Sequence, residues 1–350
     1  MHDQNWNEHV IADMLINTEN DRVRLSAMSF SLQALEEAAS RVHAQMAPTP
    51  HYAWPLLRQE LGVDVWVKHE NHTPTGAFKV RGGITFMDWL TRHRSEVGGI
   101  VTATRGNHGQ SQARAATAAG LISKIIVPLG NAKEKNAAMR AFGADVIEHG
   151  ADFDAAKAKA KELADAEGLY QVPAFHDEIV LGVASYALEL MTSVADLDAL
   201  YVPIGCGSGI CGCIAVRDAL GLKTEIIGVV STQADAAKQS VEQGRIVETA
   251  SANTFADGMA VRCPVPDALE MYAKGASRII AVDDDEVANA MRVYFRTIHA
   301  VAEGAGAAPL AGLIQERDQM AGKKVAVILC GGNVDSDMFA QVLAGNTPTV

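Results

Sequence analysis

Short apolar runs, each followed by a stretch that reads as helix, recur along most of this 350-residue chain, and that alternation limits the fold more than any other feature. The runs are VDVWVK (63–68), GIVTAT (99–104), KIIVPL (124–129), ADVIEH (144–149), ALYVPIG (199–205), EIIGVVS (225–231), RIIAVD (278–283) and KVAVILC (324–330). Several are apolar on both faces, as expected for strands of a parallel sheet covered by helices. AAKAKAKELADAEG (155–168) and DDEVANAMRVYFRTIHA (284–300) read as intervening helices. SLQALEEAASRVHAQM, from Ser31, has apolar residues at helical spacing, and Pro48 and Pro50 close it. Strands alternating with helices mean βαβ units, and the length suits two domains. The expected fold class is therefore α/β, with open, mostly parallel sheets covered by helices.

Composition narrows the function. With 48% hydrophobic and 21% charged residues the chain is ordinary for a globular protein. Its net charge of −12 disfavours a nucleic-acid partner, which needs clustered Lys and Arg. No apolar run approaches the roughly 20 residues of a membrane helix, so no membrane partner is expected. The first residues lack a basic start followed by an apolar block, so no secretion signal is expected. The five cysteines are Cys206, Cys211, Cys213, Cys263 and Cys330. An odd number without framework spacing suits reduced thiols in a cytoplasm, and the spacing of the first three does not suit zinc.

Glycine-rich turns stand where strands hand over to helices: TRGNHGQ (104–110), GCGSGICG (205–212) and, after the last strand, CGGNVD (330–335). In open parallel sheets ligands bind beyond the carboxyl ends of strands, so three such turns point to one site assembled from distant segments. GCGSGICG allows the backbone to approach a phosphate at a helix start. It also satisfies G-x-G-x-x-G, but the next strand ends in Ser231, Thr232 and Gln233 rather than the acid that a dinucleotide ribose needs, so a monophosphate is the better ligand. PTGAFKVRGG (74–83) puts Lys79 near a helical start. Taken alone, Lys79 is either a surface lysine or, with its pKa depressed, an imine-forming nucleophile.

The order of these elements resembles the tryptophan-synthase-β-like family of pyridoxal-phosphate enzymes (fold type II), within it the threonine dehydratase and serine racemase branch, over roughly residues 45–340. PTGAFKVRGG resembles the family's Schiff-base motif, which implies that Lys79 holds pyridoxal 5′-phosphate and that Phe78 packs near it. GCGSGICG takes the place of the phosphate cup, with Gly205, Cys206, Gly207, Ser208 and Gly209 as contacts. TRGNHGQ resembles the turn whose asparagine, here Asn107, meets the pyridine 3′-oxygen, and which receives the substrate α-carboxylate, here through Thr104, Gly106 and His108. ADGMAV (256–261) and EGAGAAP (303–309) fall in the family's order, with Glu303 beside the ring. The resemblance implies an N-terminal extension (1–30), a large cofactor-binding domain (31–94 and 176–350) and a small mobile domain (95–175). It further implies a homodimer acting on a small amino-acid substrate, with Lys79 the catalytic base in loss of a β-hydroxyl.

Several positions depart from the family's pattern. Cys330 stands where serine or threonine faces the pyridine nitrogen; a thiol is a weak partner, which suits rapid elimination over a long-lived carbanion. In VVSTQADAAK (229–238), Val230 and Ala236 replace the branch's cation ligands, so no metal is expected. GVAS (182–185) replaces a more glycine-rich turn. Arg105 replaces the serine that serves racemising relatives as a second proton carrier; a guanidinium does not exchange protons at neutral pH but offers a carboxylate a bidentate partner. Threonine, serine, 3-hydroxyaspartate and phenylserine remain open as substrates. Alternatives are a racemase or β-replacement synthase on the same fold, or a non-covalent phosphate- or nucleotide-binding protein. Only about ten residues follow the resemblance, so no regulatory domain is expected, which suits catabolism. Among other histidines, His69 and His72 read as packing or solvated groups, and the sequence identifies no role for His149 and His176.

Overall fold

The computed structural model describes residues 30–349, so nearly all of the extension expected over 1–30 lies outside the described residues. Among the described residues ten strands make two sheets. They are β1 (His51–Ala53), β2 (Asp64–His69), β3 (Gly99–Ala103), β4 (Ile122–Val127), β5 (Asp145–Glu148), β6 (Tyr170–Gln171), β7 (Ala199–Pro203), β8 (Glu225–Ser231), β9 (Arg278–Val282) and β10 (Lys324–Leu329). The larger sheet runs β1-β2-β10-β7-β8-β9 and the smaller β5-β4-β3-β6. β1 lies antiparallel to β2, and the remaining pairs are parallel.

The helices that position the site are α1 (Leu32–His43), α2 (Lys79–His93), α3 (Asn107–Ala118), α4 (Lys133–Ala141), α5 (Phe153–Glu167), α6 (Asp177–Ser193), α7 (Ser208–Ala219), α8 (Asp284–Ile298) and α9 (Gly304–Gln315). Both faces of the small sheet are covered. Val101 and Ile126 pack with Ala156 and Ala160 of α5 on one side, and Ile125 and Val127 with Ala113 and Met139 of α3 and α4 on the other. That two-sided burial accounts for strands apolar at every position. β10 lies between β2 and β7, so the large sheet joins early and late segments of the chain, with the small sheet between them in sequence.

GVAS is a correction to the sequence reading. Gly182–Ser185 lies within α6 rather than in a turn, buried against α2. A Cβ on Gly182 would sit 2.4 Å from the Arg81 carbonyl oxygen, so glycine is what lets the two helices approach this closely. Two strands were not expected. β1 has three residues with two exposed, and β6 has two residues, too short for a period to show.

Candidate active site

Lys79 is the first residue of α2, and the turn before it is fastened to the end of β10. Gly76 has φ +68°, a left-handed conformation in which a Cβ would meet the Asn333 side chain at 2.4 Å. Ala77 bridges to Gly331, the Phe78 N–H donates to the Cys330 carbonyl at 2.9 Å, and Gly332 N–H donates to Gly76 O at 2.9 Å. The lysine side chain reaches across to the start of α7, where Nζ donates to Ser208 Oγ at 3.1 Å. Burial lowers its proton affinity, only partly opposed by the Cys206 and Cys330 thiols.

Two residues beyond Lys79, Arg81 is fully buried and clamped between two carboxylates. Its guanidinium donates to Glu70 at 2.7 and 2.9 Å, to Glu189 at 2.6 and 3.0 Å, and to Ser185 Oγ at 2.8 Å. Lys68 donates to Glu189 at 2.5 Å and to the Thr49 carbonyl at 2.8 Å. Burial alone would raise the Glu189 carboxyl, but Arg81 and Lys68 together hold it down at about 2.

The cup after β7 is made of closely packed backbone. A Cβ on Gly205 would come within 2.2 Å of the Gly258 carbonyl oxygen, and Gly207 has φ +94°. Ser208 begins the twelve-residue α7, whose first N–H groups are free for an anion. Tyr186 of α6 donates to the Gly209 carbonyl at 3.1 Å, which fixes the cup to the helix that packs on α2.

The third wall follows β3. Thr104 is buried, and its Oγ1 accepts from Gly106 N–H at 3.1 Å. Asn107 opens α3; its Nδ2 donates to Glu303 Oε1 at 2.6 Å, and its Oδ1 accepts from Asn333 at 2.9 Å. His108 Nε2 is buried without a hydrogen-bond partner. Burial, with Lys79 nearby, lowers its pKa to about 3, so the ring is neutral. Arg105 is exposed.

These walls enclose one cavity of about 150 Å³ between the two sheets. Every site residue expected from the sequence lines it: Phe78 and Lys79; Thr104, Arg105, Gly106, Asn107 and His108; Gly205 to Gly209; Glu303 and Cys330. Burial pushes the Cys330 thiol well above its ordinary value, so it stays a thiol. Lys135 and Asp257 also line the cavity and were missed. Lys135 Nζ donates to Asp257 at 2.5 Å and to Glu303 at 3.3 Å, tying α4 of the small sheet to the large one. Burial would lower its pKa, but the two carboxylates outweigh that and raise it. Burial raises Glu303, against the pull of Lys135.

Other expectations resolve elsewhere. His69 is buried outside the cavity, accepting from Trp54 Nε1 at 3.0 Å and stacking on His72. His176 caps α6, its Nδ1 accepting from Glu178 N–H at 3.1 Å. Val230 is buried in β8 and Ala236 at the start of the helix Ala236–Gln243. No helix among the described residues is long and apolar enough to cross a membrane.

Comparison with known proteins points to one family and fold. The family described as pyridoxal-phosphate dependent enzyme matches residues 42–331. The chain is 33% identical over 307 residues to the biosynthetic L-threonine dehydratase IlvA of Haemophilus influenzae, covering 87% of this chain and 60% of that one. It is 32% identical over 310 residues to an L-threonine ammonia-lyase of Geobacter sulfurreducens, covering 88% and 77%. It thus spans little more than half the length of the first relatives it matches. Among solved structures, processed threonine deaminase isoform 2 of Solanum lycopersicum superposes with TM-score 0.83 at 26% identity, covering 91% of this chain and 96% of that one.

Proposed function

The chain belongs to the pyridoxal-phosphate dependent enzyme family, and from that premise we propose that it removes the hydroxyl of a β-hydroxy L-amino acid, giving a 2-oxo acid and ammonia. One observation carries the reading: a buried lysine amine at a helix start, facing a glycine-rich helix N-terminus across a cavity shared by two sheets. Relatives named threonine dehydratase and threonine ammonia-lyase support the choice of reaction.

The cavity fits the cofactor. Lys79 offers a buried amine for its aldehyde, the cup at Gly205–Gly209 offers backbone N–H groups for one phosphate, and neutral Cys330 offers a weak partner for the ring. Pyridoxal phosphate, when bound, supplies an electron sink that makes the α-proton of an attached amino acid acidic. Lys79 both holds the cofactor and, once free, takes that α-proton at Nζ; its lowered proton affinity suits a base working near neutrality. Thr104, Gly106 and His108, in the turn that leads into α3, hold the α-carboxylate. Asn107, fixed by Glu303 and Asn333, orients the ring through its second amide hydrogen. The C–O bond at the β-carbon then breaks, and its oxygen leaves as water with the proton that Lys79 took from Cα. The unsaturated amine released is hydrolysed to the 2-oxo acid and ammonia. Arg105 has no proton to exchange with the opposite face of Cα, which separates the reading from racemisation.

The proposal includes a small unit, residues 95–175, that closes over the substrate and excludes water, and a homodimer in the cytoplasm. Five free cysteines suit a reducing compartment, and light scattering tests the dimer. The direct test is Lys79→Ala. It is expected to abolish 2-oxo acid formation together with the visible absorbance that borohydride removes from the wild type. A variant that keeps both overturns the assignment.

A further inference from the structure

We propose that Arg105 receives a second carboxylate on the substrate, so that the preferred β-hydroxy amino acid is an acidic one of the 3-hydroxyaspartate type; this rests on the dehydratase reading above. Lys79 is kept for bond making. Lys135 is paired with Asp257 and Glu303. His108 is neutral. Arg105 lines the same cavity, and among the described residues no acid pairs with it. In a chain of net charge −12, an exposed guanidinium that lines the cavity without an acid partner is free to take a carboxylate that arrives with the ligand.

Position sets what that partner is. Arg105 lies in the turn proposed to hold the α-carboxylate, and the turn is braced from behind. A Cβ on Gly106 would meet the Lys135 stem at 2.5 Å, so Lys135 packs against it. The cavity is small, about 150 Å³, which disfavours a long substrate side chain. The carboxylates that would repel an acidic substrate are already engaged, since Asp257 and Glu303 both accept from Lys135 and burial draws Glu303 toward its protonated form. A four-carbon hydroxy diacid satisfies these conditions. Its elimination needs no oxidant: one water leaves from the β-carbon, one enters at the C–N bond, and ammonia and a 2-oxo diacid result.

The test compares 3-hydroxyaspartate with L-serine as substrates of the wild type and of Arg105→Ser and Arg105→Lys, with binding of L-aspartate and L-alanine followed by cofactor absorbance. The wild type is expected to favour the diacid. In Arg105→Ser the ratio of kcat/KM for 3-hydroxyaspartate over L-serine should fall about 10- to 100-fold, the range for losing a charged hydrogen-bond pair. The ratio of L-aspartate to L-alanine affinity should fall with it, and Arg105→Lys should recover part of both. Unchanged ratios overturn the proposal, whether because Arg105 serves the α-carboxylate alone or because it faces solvent. Failure of every substrate to give a 2-oxo acid, with L-aspartate binding still dependent on Arg105, removes the dehydratase reading and leaves the carboxylate site standing.

Discussion

Glu189 braces the helix that starts at Lys79, although it does not line the cavity. Its carboxylate joins Arg81 of α2 to Lys68 of β2, and its partners hold its pKa at about 2 against an ordinary 4.5. A carboxyl lowered on folding stabilises the protein fully above its unfolded pKa and loses that contribution as pH falls. The stabilisation, about 3 kcal/mol, should therefore be complete above pH 4.5 and vanish as pH approaches 2. Glu189→Gln leaves two buried cations short of a partner and should cost about 3–5 kcal/mol at neutral pH. Urea unfolding across pH should show the wild-type advantage shrinking between pH 4.5 and 2; an advantage constant with pH contradicts the ion-pair account. The Lys79 motif contains Arg81, but nothing in the sequence marks this clamp, because Glu70 and Glu189 stand 11 and 108 residues from it. Lys135 was hidden in the same way. KEKNAAMRA looks like a solvated helix, and only the opposite sheet makes its third residue a buried one.

Elements were more legible than contacts between them. The eight apolar runs all became strands; in the central ones, such as β3, β7 and β8, burial on both faces leaves a mark at nearly every position. The three glycine turns fell at strand ends, as their composition required, and that alone brought most of the site together. Helix-to-helix approach left less trace, since one glycine in a helix looks like any other. Gly182 is the instructive case, its missing Cβ letting α6 lie against the Arg81 carbonyl. Gly182→Ala should push α6 from α2, lower stability by about 1–3 kcal/mol and weaken retention of the cofactor. Urea midpoints and cofactor titration read both effects. Unchanged values would mean that the helices separate without disturbing Lys79.

At the scale of the whole molecule, the site belongs to neither sheet. Lys135 reaches from α4 to Asp257 and Glu303, while Asp335 accepts from Lys133 N–H at 3.1 Å and Glu134 from Ser336 N–H at 3.0 Å on the same seam. The strand order also carries a timetable. A ribosome delivers every strand of the small sheet by residue 171, but β10, which joins β2 to β7, is the last of the described strands to be made. At about 5–20 residues per second the gap is roughly 10–30 s. During it, β2 and β7 each present a bare apolar edge, the kind of surface that recruits other chains. A chain stopped at residue 320 should thus aggregate through β2 and β7 while amides of β3 and β4 stay protected from hydrogen exchange. In the living cell, the nascent chain's need for a chaperone should end when Lys324–Leu329 clears the exit tunnel.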